Sequence, residues 1–330
     1  MIKDRLISWI QTLGVDYYPS IKNMNIMKFK IGIITFFLTC FTVQAQQEPQ
    51  HTQYMYNTLT INPAYAGSRG MMSIFGMHRS QWVGLDGAPA TSTFALHTPI
   101  KYSKLGLGFS FTNDQIGPQD FNSIAADLSY SLDFDYGRKL SFGFKVVGDL
   151  LNVDYTKLDI YHPDDLKFQS NIDNRFSPNF GAGIYWSTPD YYLGISTPRI
   201  LETKFYDQQK ESVVREKMHY YLIGGYVFDL THDVKLKPAF MSKIVQGSPL
   251  QIDLSANALF MEKFTLGLAY RVDAAMSALA GFQLSDQLFI GYAYDAETTK
   301  LANHNSGSHE IFLRFELLGN YKRIITPRFF

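Results

Sequence analysis

From residue 71 onward, apolar and polar residues alternate along the chain with a period of two. In the segment KLGLGFSFT, residues 104–112, leucine and phenylalanine alternate with glycine, serine and threonine. Successive side chains of a β-strand point to opposite faces, so this alternation predicts strands with one apolar face and one small or polar face. Segments with this pattern lie at 71–79, 91–98, 104–112, 122–134, 139–153, 179–187, 190–197, 217–228, 233–242, 251–260, 263–272, 275–284, 287–295 and 308–317.

The composition of the polar face distinguishes a membrane barrel from a soluble β-sandwich. This face holds mainly Gly, Ser, Thr and Asn, whereas a sandwich that exposes it to water would normally carry more Lys and Glu there. A membrane barrel turns its apolar face to lipid and its polar face to the lumen, and closure pairs the backbone groups as hydrocarbon requires. The sequence therefore predicts an all-β, transmembrane antiparallel β-barrel of about 14 strands over residues 71–330.

The connections between the predicted strands alternate in length. The short ones are 99–103, 135–138, 188–189, 229–232, 261–262 and 285–286. The long ones are 80–90, 113–121, 154–178, 198–216, 243–250 and 296–307, and only 273–274 breaks the alternation. Outer-membrane barrels have tight periplasmic turns and longer outer loops. We therefore expect the short-turn end, where the mature N-terminus also starts, to face the periplasm.

Tyrosine and tryptophan cluster near the ends of the predicted strands. These residues are Trp82, Tyr130, Tyr185, Trp186, Tyr191, Tyr192, Tyr220, Tyr221, Tyr292 and Tyr294. Amphipathic rings are typical of the level of the lipid headgroups. We expect these side chains to mark the two membrane interfaces.

The N-terminus has the features of an export signal. Residues 31–43, IGIITFFLTCFTV, form an apolar run that is shorter than the roughly 20 residues a membrane-spanning helix needs. Lysines precede the run, and Val-Gln-Ala at 43–45 follows it. This order predicts a signal peptide over residues 1–45, cut after Ala45.

The start of the chain leaves two questions open. Residues 1–23 make an unusually long leader, and Met24 or Met27 is an alternative start. Cys40, the single cysteine, is an alternative lipid-attachment site, although the residues before it are larger than such a site prefers. A lone cysteine also excludes a disulfide framework and a multi-cysteine metal site.

Residues 46–70 follow the signal and do not alternate. The segment is polar and irregular and contains the turn signal Asn62-Pro63, so it does not cross lipid. It is expected to line the periplasmic mouth of the barrel or to plug the lumen.

Three blocks carry a resemblance to known proteins: TQYMYN at 52–57, NPAYAG at 62–67 and, farther along the chain, HRSQW at 78–82. In these blocks the sequence resembles the PorP/SprF family of outer-membrane proteins of type IX secretion systems. From these blocks we take the following candidates for partner contact: Gln53, Tyr54, Asn57, Asn62, Pro63, Ala64, Tyr65, Ala66, Gly67, Arg79 and Trp82.

The resemblance implies a non-enzymatic outer-membrane barrel of the secretion and gliding machinery. It implies partners among secreted cargo or adhesin proteins that bear a C-terminal sorting domain, among other type IX components, and in the outer-membrane lipid. The balance of 30 basic and 30 acidic residues gives no electrostatic case for a nucleic-acid partner. The alternative is a 14-stranded transport channel for apolar small molecules, with residues 46–70 as a hatch.

The search for catalytic and ligand-binding motifs yields no catalytic, cofactor or metal site. The sequence contains no HExxH, GxSxG or nucleotide-binding loop. His97 with a serine on a neighbouring strand would be needed for a lipid hydrolase, but two residues do not make a site. The acidic loop 154–178 could offer oxygen ligands to calcium, but it lacks the calcium-loop spacing and is interpreted as solvated.

Overall fold

The computed structural model describes residues 54–158, 171–202 and 217–317. The predicted signal peptide, the cleavage point after Ala45, Gln53, and most of the acidic loop lie outside the described residues. The N-terminal segment is therefore described from Tyr54 onward.

Fifteen β segments run through the described residues in chain order. They are β1 Met72–Ser80, β2 Ala90–Pro99, β3 Leu105–Ile116, β4 Gln119–Asp133, β5 Lys139–Val153, β6 Ile172–Ser187, β7 Tyr191–Thr197, β8 His219–Tyr226, β9 Phe228–Asp229, β10 Val234–Val245, β11 Gln251–Phe260, β12 Phe264–Arg271, β13 Ala275–Gln283, β14 Leu288–Glu297 and β15 Ser308–Leu317.

The strands close into a ring. Neighbouring strands pair antiparallel, and β15 pairs with β1 in a register that runs from Met72 opposite Leu317 to Ser80 opposite His309. Because only Val227 separates β8 from β9 and both pair with β10, they count as one strand of the wall. The described residues thus form a closed 14-stranded antiparallel β-barrel, as the sequence predicted.

The alternation sorts side chains between the exterior and the lumen. Exterior side chains such as Leu107 and Leu128 are 45% exposed, whereas the lumenal Lys237 and Glu310 are 0% exposed. Most buried charged residues in the described chain come from the lumenal face of a strand. The barrel is therefore apolar outside and polar inside.

The helices of the described residues are short. They are α1 Thr58–Ile61 and the 3-10 helices Pro63–Tyr65, Asp135–Gly137, Tyr155–Lys157 and Lys300–Asn303. Among the described residues, none has the length and apolar character that a membrane-crossing helix requires.

One predicted long connection, 113–121, is wrong. Strand β3 runs to Ile116 and β4 starts at Gln119, so a tight turn with Gly117 at a φ of 54° joins them. The exterior side chain of Asn113 donates to Asp120 at 2.8 Å and to Asn122 at 3.0 Å. The hairpin continues with a polar exterior beyond the apolar belt, which explains why the apolar alternation stops before the strands do.

We expect the exterior belt of β3 to tolerate a charge poorly. Leu107→Arg should cost about 2–4 kcal/mol of unfolding free energy, because it places a charge in hydrocarbon. The measurement is urea unfolding of the barrel in lipid vesicles. Gln115→Arg, on the same face of the same strand but beyond the belt, is the control and should cost much less. Equal losses at the two positions would contradict a membrane-facing exterior.

Candidate functional site in the barrel lumen

Residues 54–70 lie inside the barrel and form a plug. Helix α1 and the following 3-10 helix occupy the lumen, and Leu59, Asn62 and Ala64 are fully buried there. The hydrophobic core of the molecule consists of these plug residues and the lumenal side chains around them. Of the two placements expected for this segment, the structure therefore shows a lumenal plug.

Three lumenal glycines of the wall let the plug come into direct contact with the strands. A methyl group on Gly143 would lie 2.1 Å from the Ala64 nitrogen, and one on Gly106 would lie 2.3 Å from the Ala66 oxygen. A third, on Gly183, would lie 2.2 Å from the Asn62 side-chain oxygen. Any larger side chain at these positions would overlap with the plug. We call Gly106, Gly143 and Gly183 the glycine seats.

Asn62 links the plug to strand β6. Its Oδ1 accepts a hydrogen bond from the Ala64 backbone N–H at 3.0 Å and so caps the 3-10 helix that Pro63 begins. Its Nδ2 donates to the Ile184 carbonyl at 3.1 Å. One side chain thus shapes the turn and attaches it to the wall.

Wall side chains donate hydrogen bonds to the carbonyl groups of the plug. Ser129 donates to the Ala66 carbonyl at 2.7 Å, and Ser196 donates to the Ile61 carbonyl at 2.7 Å. Lys145 donates to the Leu59 carbonyl at 3.2 Å. An irregular segment needs such partners because a buried, unpaired carbonyl is costly.

Lys145 also belongs to a buried ion pair. Its Nζ lies 2.9 Å from Asp127 Oδ1, and both side chains are almost completely shielded from solvent. The lysine therefore ties the plug to a charge on the neighbouring strand β4. Removing either charge would leave the other uncompensated in the lumen.

Aromatic contacts pack both ends of the plug. Tyr65 meets His97 and Tyr185 edge to face, with ring centroids 5.4 Å and 5.5 Å apart. Tyr56 packs against Phe312 with centroids 4.7 Å apart, and burial raises the pKa of its phenol to about 12. Such pairs contribute about 0.5–1.5 kcal/mol each beyond the area they bury.

His97 contacts the plug directly. Its Nδ1 accepts a hydrogen bond from the Gly67 backbone N–H at 3.2 Å. Gly67 has a φ of 72°, and a methyl group on it would lie 3.0 Å from the Gly106 Cα. Glycine suits this position because of both its backbone conformation and the closeness of the wall.

A second cluster lies near the long-loop end of the barrel. Arg79 on β1 lies 2.6 Å from Asp295 and 3.1 Å from Glu310, on β14 and β15, and all three side chains are buried. Trp82 donates from its indole to Glu297 at 2.7 Å and has a φ of 46°. The Trp82 backbone N–H also donates to the Ser308 hydroxyl at the start of β15, which helps to hold this strained conformation.

A small cavity of about 100 Å³ lies between the plug and Arg199. Thr60 and Ile61 of the plug line it, together with wall hydroxyls and Lys145. Arg199, in the chain that follows β7, lies 3.1 Å from Asp149 and donates to Ser123 at 3.0 Å. The cavity above the plug thus has a mixed polar and apolar lining, and the Arg199–Asp149 ion pair lies beside it.

The family comparison decides the identity. A family model described as the type IX secretion system membrane protein PorP/SprF matches residues 43–315, which include the plug and nearly all of the barrel. The chain belongs to the PorP/SprF family. Membership and the barrel together assign this PorP/SprF protein to the outer membrane and to the type IX secretion system.

Several solved structures are similar to this PorP/SprF chain at low identity. The outer membrane protein Omp33 of Acinetobacter baumannii is 8% identical with a TM-score of 0.45, over 75% of this chain and 98% of that one. The toluene transporter TbuX of Ralstonia pickettii is 10% identical with a TM-score of 0.48, over 77% and 91%. A FadL homologue of Pseudomonas aeruginosa is 12% identical with a TM-score of 0.43, over 74% and 89%. No curated protein matches the sequence.

The structure divides the candidate motif residues between two places. Those from Tyr54 to Gly67 lie in the plug, whereas Arg79 and Trp82 lie near the long-loop end. Gln53 lies outside the described residues. Among the described residues, no group of three or more His, Cys, Asp or Glu side chains is arranged to hold a metal ion.

The prediction that strand-end aromatics mark the membrane interfaces is wrong for three residues. Tyr185, Tyr192 and Tyr221 point into the lumen and are buried. Adjacent tyrosines on a strand must face opposite sides, so only Tyr191 and Tyr220 of the two Tyr-Tyr pairs reach the exterior.

Sequence reasoning missed the wall residues that receive the plug. Gly106 and Gly183 each belong to a single Gly-x-Gly pair within a strand, a pattern that indicates only close packing or backbone curvature there. Gly143, Ser129, Ser196 and Lys145 gave no signal, because small and polar residues are expected throughout a barrel lumen.

The glycine seats provide a direct test of the plug. We expect Gly143→Val to displace Ala64 and raise the ion conductance of the barrel in planar bilayers above that of the wild type. Gly76→Val is the matched control, since a methyl group on Gly76 meets no atom within 4 Å. Unchanged conductance in Gly143→Val with a correctly folded barrel would contradict the seating.

We expect the buried Lys145–Asp127 ion pair to matter for the stability of the barrel. Lys145→Met should cost about 3–5 kcal/mol of unfolding free energy because it leaves Asp127 buried and uncompensated. Adding Asp127→Asn should recover part of that loss. Lys139→Met is the control on the same strand, since its pair with Asp133 is exposed and contributes at most about 1 kcal/mol. Chemical unfolding in detergent measures all of these variants.

Proposed function

We propose that this protein is a non-enzymatic barrel of the type IX secretion and gliding machinery that docks a secreted cargo protein. It would help to export the cargo, which bears a C-terminal sorting domain, or to attach it to the cell surface. The observation that carries the proposal is the plug, whose residues 54–66 pack in the lumen and are hydrogen-bonded to several strands of the wall. A lumen occupied in this way supports a docking role better than an open conduit.

The proposal includes an orientation in the membrane. The short-turn end would face the periplasm and the long loops the outside, as is usual for outer-membrane barrels. The signal peptide would be removed after Ala45. Cargo contacts would then fall on the long loops, next to the rigid Trp82 and its bond to Glu297.

The buried motif residues would act through the shape of the plug. Asn62, Ala64 and Tyr65 are buried among wall residues, so a partner does not meet their side chains at the surface. Their role in the proposal is to hold the plug in one conformation, which fixes the floor of the lumen. Arg79 and Trp82 would do the same for the loops at the other end.

The competing function is transport of apolar small molecules. Drug-sized ligands occupy pockets of roughly 300–1,000 Å³ with mostly apolar linings. The cavity above the plug is about 100 Å³. A space of that size does not support passage of an apolar solute.

The proposed function is tested by affinity pull-down from detergent-solubilised outer membranes. The full barrel should retain its cargo, whereas deletion of residues 50–67 should abolish cargo association while a heat-modifiable barrel still forms. Gly143→Val serves as a second variant with the complete chain and should weaken the association. Cargo recovery from the deletion variant equal to that from wild type would contradict the role of the plug.

Liposomes that contain only the purified barrel distinguish the alternative. The proposal predicts no uptake of toluene above that of empty liposomes. Uptake without any protein partner would favour the transport function instead.

A further inference from the structure

Two neighbouring turns at the short-turn end display fully exposed aromatic rings. Tyr102 in the β2–β3 turn and Tyr136 in the β4–β5 turn are 103% and 87% exposed. Apolar side chains on the exterior wall are typically only about half as exposed, for example Tyr130 at 43%. The two rings therefore project from the end of the barrel. We call the turns 99–104 and 134–138, which carry them, the aromatic rim.

Both tyrosines adopt a backbone conformation that is unfavourable for a large residue. Tyr102 has a φ of 59° and Tyr136 a φ of 61°, in the left-handed region where glycine or asparagine is favoured. Short hairpin turns need such φ values, and Met261 and Glu262 adopt them in another turn at the same end. Because the Tyr102 and Tyr136 rings bury almost no surface on the barrel, packing within the chain does not account for tyrosine at these two positions.

Backbone hydrogen bonds hold both turns of the aromatic rim. The Ser131 N–H of strand β4 donates to the Lys104 carbonyl at 2.8 Å, which attaches the first turn to the strand that leads into the second. Within them, Ile100 donates to Leu105 at 2.9 Å and Phe134 to Arg138 at 2.8 Å. The rings are thus presented on hydrogen-bonded turns, which lowers the entropy lost on binding.

The rim is basic around its aromatic rings. The two turns contain three basic residues, Lys101, Lys104 and Arg138, and one acidic residue, Asp135, and all four are exposed. The Arg138 guanidinium lies 5.6 Å from the centre of the Tyr136 ring. Tyrosine and arginine are the residues that most often dominate protein interfaces. The net positive charge of the rim favours a partner with an acidic surface.

The position of the rings favours a protein partner over lipid headgroups. Phe134, where the second turn leaves the wall, already serves the membrane interface, since its ring packs against Trp186 with ring centroids 5.7 Å apart. Tyr102 and Tyr136 lie beyond them on the turn tips. A side chain placed there meets the aqueous compartment instead of the side of the barrel.

We propose that the aromatic rim docks a soluble protein whose acidic surface surrounds an apolar pocket for Tyr102 and Tyr136. This inference rests on the proposed function for its compartment, since the short-turn end then faces the periplasm. The rim is separate from the long loops that would bind cargo. The barrel would accordingly hold one partner on each side of the membrane.

The test is photo-crosslinking in cells that secrete cargo, with p-benzoylphenylalanine at position 102 or 136 of the full chain. We expect both positions to crosslink to the same periplasmic protein, identified by mass spectrometry and possessing an acidic face. The combined change Lys101→Glu and Arg138→Glu should lower the yield at least roughly tenfold. Lys263→Glu, in another turn at the same end, should leave the yield unchanged.

A second variant distinguishes loss of binding from misfolding of the barrel. Tyr102→Asn with Tyr136→Asn suits the left-handed backbone, so the barrel should fold as before while co-purification of the crosslinked protein is lost. Adducts with lipid alone, no adduct, or a yield insensitive to the charge reversal would overturn the inference.

The two proposals fail in different ways. If the rim yields no protein adduct while cargo is still recovered by pull-down, only the rim inference is wrong. If Tyr102→Cys reacts with a membrane-impermeant maleimide in intact cells, the rim faces outward. That result would overturn both the proposed orientation and the periplasmic partner.

Discussion

The structure depends on closure of the backbone hydrogen-bond ring. Hydrocarbon offers no partner to a free N–H or carbonyl, so a sheet can cross a membrane only when its first and last strands pair. Here β15 pairs with β1 along the full length of β1. Once the ring is closed, apolar side chains must face outward, and the polar face forms a lumen that can hold an irregular, polar plug.

The plug makes use of this lumen in a specific way. Small wall residues let its backbone approach closely, as at Gly143, and wall hydroxyls and Lys145 pair its carbonyl groups. A polar wall would otherwise hold water. Instead it holds residues 54–67, which include most of the first and all of the second of the three sequence blocks that carry the family resemblance.

The sequence predicted the strands of the wall well, because the alternation of apolar and polar residues follows directly from one face of each strand being in contact with hydrocarbon. The bounds of β5, β11 and β15 agree to the residue. Strand β6 begins seven residues before its predicted start at 179, because Ile172–Pro178 leaves the apolar belt and loses the alternation. The motif block at 62–67 was also predictable through resemblance. Its contacts were not, because pairing between Asn62 and Ile184 depends on where the closed ring places β6.

Residues 54–67 are a packed part of the folded barrel. Hydrogen exchange in detergent micelles tests this packing most directly, since the protection of an amide follows local stability. We expect the amides of Ala64 and Gly67, which donate to Asn62 and His97, to exchange as slowly as those of the neighbouring strands. Exchange at the rate of an unfolded peptide, in a barrel whose strands remain protected, would contradict this packing.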